Sequence, residues 1–260
     1  MRIASLGSGS KGNATVIQTA DSCLLVDCGF NSKQCHLRMD ALGIKPELLD
    51  GILVTHEHGD HIGGVYTLVK QYGISVYMTQ GTADGSKFAE LGNLRELSEI
   101  NIIDAETDFN IGDINIRPVV VPHDAREPCQ FVFNNKGNSV GVLTDVGCIT
   151  PHIEKQYSAC DVLMLEFNHD LDTLEKGPYP EMLKERVGGD YGHLNNNQAA
   201  DLLKLVEIEK IQHLLIAHIS EKNNSIDAVT NCLNTEVPIL DHQKVHFIDQ
   251  KKGLNWRLLD

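Results

Sequence analysis

At 260 residues the chain can bury a large core, and one domain of this size is ordinary for folds that mix helices and sheets. Its formal net charge of −14 argues against a broadly basic nucleic-acid surface, although bound cations could still attract a phosphate to an acidic protein. Aliphatic side chains outweigh aromatics, which make up 5% of residues, and no apolar run is long enough to span a bilayer.

The N-terminus lacks the apolar core of a signal peptide and reads as a first strand, so a cytoplasmic location is expected. The seven cysteines are scattered and form no C-x-x-C pair, which fits small buried hydrophobes in a reducing compartment. No linker, repeat or low-complexity tract divides the chain, and a single domain over 1–260 is expected. In chain order, strands are predicted at 2–6, 14–18, 23–27, 51–55, 74–78, 114–121, 129–134, 139–144, 161–167, 212–217 and 245–249. Helices are predicted near 33–43, 62–72, 81–90, 151–158, 173–186, 196–207 and 225–234. Asn134-Asn135-Lys136-Gly137-Asn138 and Lys251-Lys252-Gly253 are turn signals.

Within this pattern the strand Ile52-Leu53-Val54 runs into Thr55-His56-Glu57-His58-Gly59-Asp60-His61-Ile62-Gly63-Gly64. Imidazoles and a carboxylate delivered together to the rim of a sheet suit a divalent ion such as zinc, manganese or iron. Glu57, between two ligands, is expected to point away. The strand-like run ending at Val121-Pro122 is followed by His123, that of 139–144 by Asp145, and Leu214-Leu215-Ile216-Ala217 by His218. Cys148, three residues past Asp145, is not counted as a ligand. Gly7-Ser8-Gly9-Ser10-Lys11-Gly12-Asn13 is either a tight hairpin turn or an anion cradle. His193 precedes the cap residues Asn195-Asn196-Asn197 of the helix near 196–207. A histidine beside a helix N-terminus suits phosphate. His36, His152, His213, His242 and His246 have no such setting and read as packed or surface residues.

The pattern His-x-His-x-Asp-His after an apolar strand resembles the signature of the metallo-β-lactamase superfamily. The order His123, Asp145, His218 matches that family's further ligands. Ser8-Gly9-Ser10-Lys11-Gly12-Asn13, Glu166-Phe167-Asn168-His169-Asp170 and Gly192-His193-Leu194-Asn195-Asn196 are similar to segments of its YycJ-type (WalJ-like) branch, with Asn195 where serine is usual. The resemblance implies an α+β fold, the four-layer αββα sandwich of two mixed β-sheets flanked by helices. It implies two divalent ions (zinc or manganese, iron possible). His56, His58 and His123 would hold the first, Asp60, His61 and His218 the second, and Asp145 would bridge them.

By that resemblance the ions lower the pKa of a shared water, Asp60 orients it, and His193 binds phosphate or protonates the leaving group. Ser10, Asn13, His169, Asp170, His193 and Asn196 are the expected substrate contacts. The first functional expectation is a phosphodiesterase or nuclease, 5′-3′ exonuclease-like, acting on DNA or RNA. A small phosphate ester is the other substrate considered, and a membrane partner is not expected. The second expectation is a hydrolase of a thioester, lactone or cyclic nucleotide, and the third a non-catalytic, metal-stabilised regulatory protein. A glyoxalase II, an antibiotic lactamase and a flavodiiron oxidoreductase are disfavoured. The helical substrate domain, the thiolate ligand with an export signal, and the flavin domain that each requires are not seen.

Overall fold

A computed structural model describes residues 1–86 and 100–259. The strands form two mixed seven-stranded sheets flanked by helices, the fold class read from the sequence. The chain groups into two units interleaved in sequence: 1–120, 125–137 and 249–260 in the first, 121–124 and 138–248 in the second.

The first unit contains β1 (Arg2–Gly7), β2 (Ala14–Gln18), β3 (Cys23–Val26), α1 (Ser32–Ala41), β4 (Gly51–Leu53), α2 (Gly59–Ile62), α3 (Val65–Tyr72) and β5 (Val76–Met78). These are followed by α4 (Gln80–Gly85), β6 (Ile100–Ile102), β7 (Phe109–Ile111), β8 (Ile114–Val120) and β9 (Cys129–Asn135). One of its sheets has the order β14-β1-β2-β3-β4-β5-β6, with β14 (Leu254–Leu258) returning from the end of the chain to pair antiparallel with β1. The strands β3, β4 and β5 run parallel, and β3 and β4 are buried along their whole length. Parallel strands covered on both faces need continuous apolar runs, which Cys23-Leu24-Leu25-Val26 and Ile52-Leu53-Val54 supply. Helix α3 buries Val65, Leu68 and Val69, the i, i+3, i+4 stripe of an amphipathic helix. Strands β7, β8 and β9 form an antiparallel meander.

The second unit contains β10 (Asn138–Leu143), α5 (Pro151–Tyr157), β11 (Val162–Glu166), α6 (Leu171–Lys176), α7 (Glu181–Gly188), α8 (Asn196–Leu205), β12 (His213–Ala217), α9 (Ile226–Glu236) and β13 (Val245–Phe247). Its four strands are parallel, in the order β13-β12-β11-β10. Each is followed or preceded by a helix, as parallel crossovers require.

The expected helix over 173–186 is instead two, α6 and α7. Gly177-Pro178-Tyr179-Pro180 interrupts it, because proline lacks the amide that would continue the ladder. The strands β6, β7 and β14 and the single turn α2 were not expected, being short or partly exposed. The expected helix over 81–90 is seen as Gln80–Gly85, ending at its C-cap Ser86, and 87–90 lie outside the described residues. Among the described residues no helix is long and apolar enough to cross a membrane.

Candidate metal centre

In the first unit β4 stops at Leu53 and the chain turns through Thr55 into α2, whose N-cap is His58. This turn places His56, His58, Asp60 and His61 at one end of the parallel strands. His56 Nε2 lies 3.1 Å from His58 Nδ1, and the rings of His56 and His61 are 4.1 Å apart. His61 is fully buried, with Nδ1 2.8 Å from Asp27 Oδ2. Donation from Nδ1 to the carboxylate fixes the tautomer and leaves the lone pair on Nε2, the form in which imidazole binds a metal. That nitrogen faces Asp60 Oδ2 at 3.7 Å and the Asn13 amide at 3.1 Å.

Asp27 was not singled out in the sequence. It follows β3 with a left-handed backbone (φ 59°) and accepts from the Thr55 amide at 2.8 Å, the Thr55 hydroxyl at 2.9 Å and His61. Burial pushes its carboxyl pKa up, while His61 and Thr55 oppose that rise. A buried aspartate closing an apolar strand was the signal available. Gly29 is required nearby, since a Cβ there would stand 1.7 Å from the carbonyl oxygen of Asp60.

In the second unit the donors again stand at the C-terminal ends of parallel strands. Asp145 follows β10 and His218 follows β12, both with left-handed backbones (φ 55° and 50°). Asp145 Oδ2 lies 3.0 Å from His218 Nδ1. His123 Nδ1 faces the Gly192 carbonyl at 3.1 Å, and burial lowers the His123 pKa, favouring the neutral ring that ligates.

His193, expected to act on substrate, joins this group: Asp145, His193 and His218 each offer a donor atom within 4.8 Å of the others. Its Nδ1 lies 3.1 Å from Glu166 Oε2 and 3.8 Å from Asp145 Oδ1. Glu166 is fully buried at the end of β11, and its Oε1 accepts from the amides of Val146 at 2.9 Å and Leu194 at 3.1 Å. The Glu166-x-Asn168-His169-Asp170 motif contained this residue, but nothing in the pattern pointed to its link with His193. Imidazoles and carboxylates, with no thiolate in the clusters among the described residues, are a donor set that fits divalent cations, so the residues present suit metal binding.

The other expected substrate contacts are placed as follows, Asn13 being the one already seen against His61 Nε2. Ser10 is exposed. Asn13 is buried, its Oδ1 accepting from the Ser8 hydroxyl at 3.0 Å and the Gly9 amide at 2.8 Å. Asp170 caps α6, accepting from the Thr173 amide and hydroxyl at 2.9 and 2.7 Å. The Asn196 side chain is engaged by Asn224 at 3.1 and 2.8 Å. His169 is fully buried and neither ring nitrogen has a hydrogen-bond partner among the described residues; burial lowers its pKa to about 4. Asn195 caps α8 in a capping box with Gln198, a role in which serine and asparagine are interchangeable. Glu57 turns to the Arg126 amide at 2.9 Å, and Cys148 is a half-buried free thiol.

A family model described as "Beta-lactamase superfamily domain" matches residues 23–219. The exodeoxyribonuclease WalJ of Streptococcus pneumoniae is 33% identical over 219 residues, 84% of this chain and 81% of that protein. The exodeoxyribonuclease YycJ of Bacillus anthracis is 32% identical over 221 residues, 84% of this chain and 82% of that protein. The solved structure of YhfI from Bacillus subtilis, a metallo-β-lactamase fold protein, superposes with a TM-score of 0.72 at 18% identity. That match covers 98% of both chains.

Proposed function

Because the chain belongs to the metallo-β-lactamase superfamily, binding divalent metal through His/Asp clusters, we propose that it is a nuclease cleaving phosphodiesters of DNA. The observation that carries this reading is the Glu166–His193 pair, set within ligand distance of Asp145 and His218. A thioester expels a thiolate that departs without a proton, so it has little use for a histidine whose proton is controlled from behind by a buried carboxylate. A phosphodiester has such a use, because its leaving alkoxide needs a proton. The relatives named exodeoxyribonucleases support DNA as the substrate class.

Two ions would be held by His56, His58, His123, Asp60, His61 and His218, with Asp145 shared. When bound, they supply a water of lowered pKa and polarise the phosphoryl oxygens. The chain's own residues do the rest. Asp27 holds His61 in the ligating tautomer, and the Gly192 carbonyl does the same for His123. Asp60, at the start of α2, orients the attacking water. Glu166 holds His193 with a proton on Nδ1, so that Nε2 is the nitrogen that exchanges a proton with the leaving oxygen.

The test is hydrolysis by zinc- or manganese-loaded protein of end-labelled single-stranded DNA, duplex DNA and RNA, beside a thioester and a lactone. Metal-dependent release of nucleotides is the expected result. Turnover of the thioester or lactone with none of the nucleic acids would overturn the reading.

A further inference from the structure

Tyr191 is 65% exposed in the turn that leads from α7 to His193. A lone exposed aromatic needs no explanation by itself. Its position does. The Tyr191 carbonyl accepts from the amide of Asp124, next to His123, at 2.9 Å. The following carbonyl, of Gly192, faces His123 Nδ1 at 3.1 Å. A Cβ on Gly147, two residues past Asp145, would lie 2.2 Å from the Asp190 oxygen and 2.5 Å from the Tyr191 nitrogen, so the two backbones are in direct contact.

The same turn is braced by Gly192 N to Gly189 O at 2.8 Å and His193 N to Val187 O at 2.9 Å. The Tyr191 backbone is therefore fixed against the loops bearing His123 and Asp145, two residues before His193. Arg186, on the last turn of α7, reaches the same place: its Nε contacts Asp124 Oδ2 at 2.5 Å while 60% of its side chain stays open to solvent. In a chain with a net charge of −14, this half-open guanidinium, paired with the neighbour of His123, is a cation held beside the donor cluster.

We propose that Tyr191 is a stacking platform for an unpaired nucleobase flanking the scissile phosphate, with Arg186 contacting the adjoining phosphate. Aromatic faces accept any base, whereas bases inside a duplex are already stacked on their neighbours. The assignment therefore names the substrate as a single strand or a frayed end. It rests on the nuclease reading above.

The experiment compares metal-loaded wild type with Tyr191→Ala, Tyr191→Leu and Tyr191→Trp. Substrates are a single-stranded oligodeoxynucleotide and methyl p-nitrophenyl phosphate, a diester without a base. Loss of one base–aromatic stack corresponds to about five- to 150-fold. The ratio of kcat/KM on DNA to that on the small diester should fall by this factor in the alanine and leucine variants, mainly through KM, and be restored by tryptophan. Binding of a phosphorothioate single strand should weaken by the same factor. An unchanged ratio, or leucine performing as well as tryptophan, would overturn the stacking role. A wild type that cleaves no nucleic acid would instead sink the nuclease reading, so the two failures are distinguishable.

Discussion

Replacing Glu166 separates its structural from its chemical role, because its two oxygens do different things. Oε1 accepts from two buried amides, Val146 and Leu194, while Oε2 faces His193 at 3.1 Å. In Glu166→Ala both amides lose their acceptor in a fully buried position. An orphaned buried donor costs about 1–3 kcal/mol, so the pair costs roughly 2–6 kcal/mol and lowers Tm by on the order of 10 °C. Glu166→Gln retains a carbonyl oxygen for the amides and turns an NH2 toward His193. The ring must then present a lone pair at Nδ1, and it loses the negative partner that supports its charged, proton-donating form. Stability should stay near that of wild type in this variant, while the rate on DNA falls by about 10²-fold or more, the low end of general-acid assistance. The assay is kcat on DNA against kcat on methyl p-nitrophenyl phosphate, whose leaving group departs without a proton and should suffer far less. Equal losses on the two substrates, or a glutamine variant as unstable as the alanine one, would refute the reasoning.

Protein purified without chelator should carry two divalent ions per chain by elemental analysis, and Asp60→Ala and Asp145→Ala should lose metal and turnover together; either variant retaining both would remove that residue from the ligand set. Stability should also fall in acid through His169, whose burial lowers its pKa to about 4 from the usual 6.5. The unfolded chain takes up this proton near pH 6.5 and the folded chain only near 4. The contribution is therefore fully present above 6.5 and lost as pH falls toward 4, by about 3 kcal/mol at most. Urea unfolding at pH 7 and 4.5 should show a smaller acid loss in His169→Leu than in wild type, and identical pH dependence would dismiss this account.

Much of the candidate site was legible because the residues proposed as ligands obey a local rule. His56, Asp145 and His218 each follow an apolar run, and apolar runs of strand length are the strongest periodic signal a sequence carries. Asp27 obeys the same rule after Cys23-Leu24-Leu25-Val26 but stands apart from any histidine in sequence, so its tie to His61, 34 residues away, emerges only from the pairing of β3 with β4. Glu166 was hidden for the same reason, its three hydrogen-bond partners lying 20 to 28 residues distant. The expected substrate contacts carry the weakest signal in the sequence. Asn13, Asp170 and Asn196 are residue types that serve turns and caps as readily as ligands: Asn13 and Asp170 make such local hydrogen bonds, Asn196 pairs with the distant Asn224, and the Asn13 amide also reaches His61 Nε2 at 3.1 Å. Tyr191 carried no motif at all; only the fold brings it against Asp124 and Gly147.

The strand-end rule also has a backbone consequence that mutation can expose. Asp27, Asp145 and His218 are three of the four non-glycine residues with positive φ among those described, and each ends a parallel strand within a hydrogen-bonded cluster. A left-handed L-residue costs about 1–2 kcal/mol, and such strain persists where the surrounding contacts over-determine the conformation. At His218 (φ 50°) those contacts are Asp145 at 3.0 Å on the ring and the Asn168 amide on the carbonyl at 3.2 Å. His218→Ala and His218→Gly both delete the ring, so both should lose metal and activity alike. They differ only in backbone. Glycine ordinarily destabilises by about 0.5–1 kcal/mol relative to alanine, but at a left-handed position it escapes the steric penalty. The glycine variant should thus equal or exceed the alanine variant, by up to about 1 kcal/mol in urea unfolding of the metal-free proteins. An alanine variant more stable than glycine by the usual margin would show that this strand end is not strained, and that the ring alone decides what histidine contributes there.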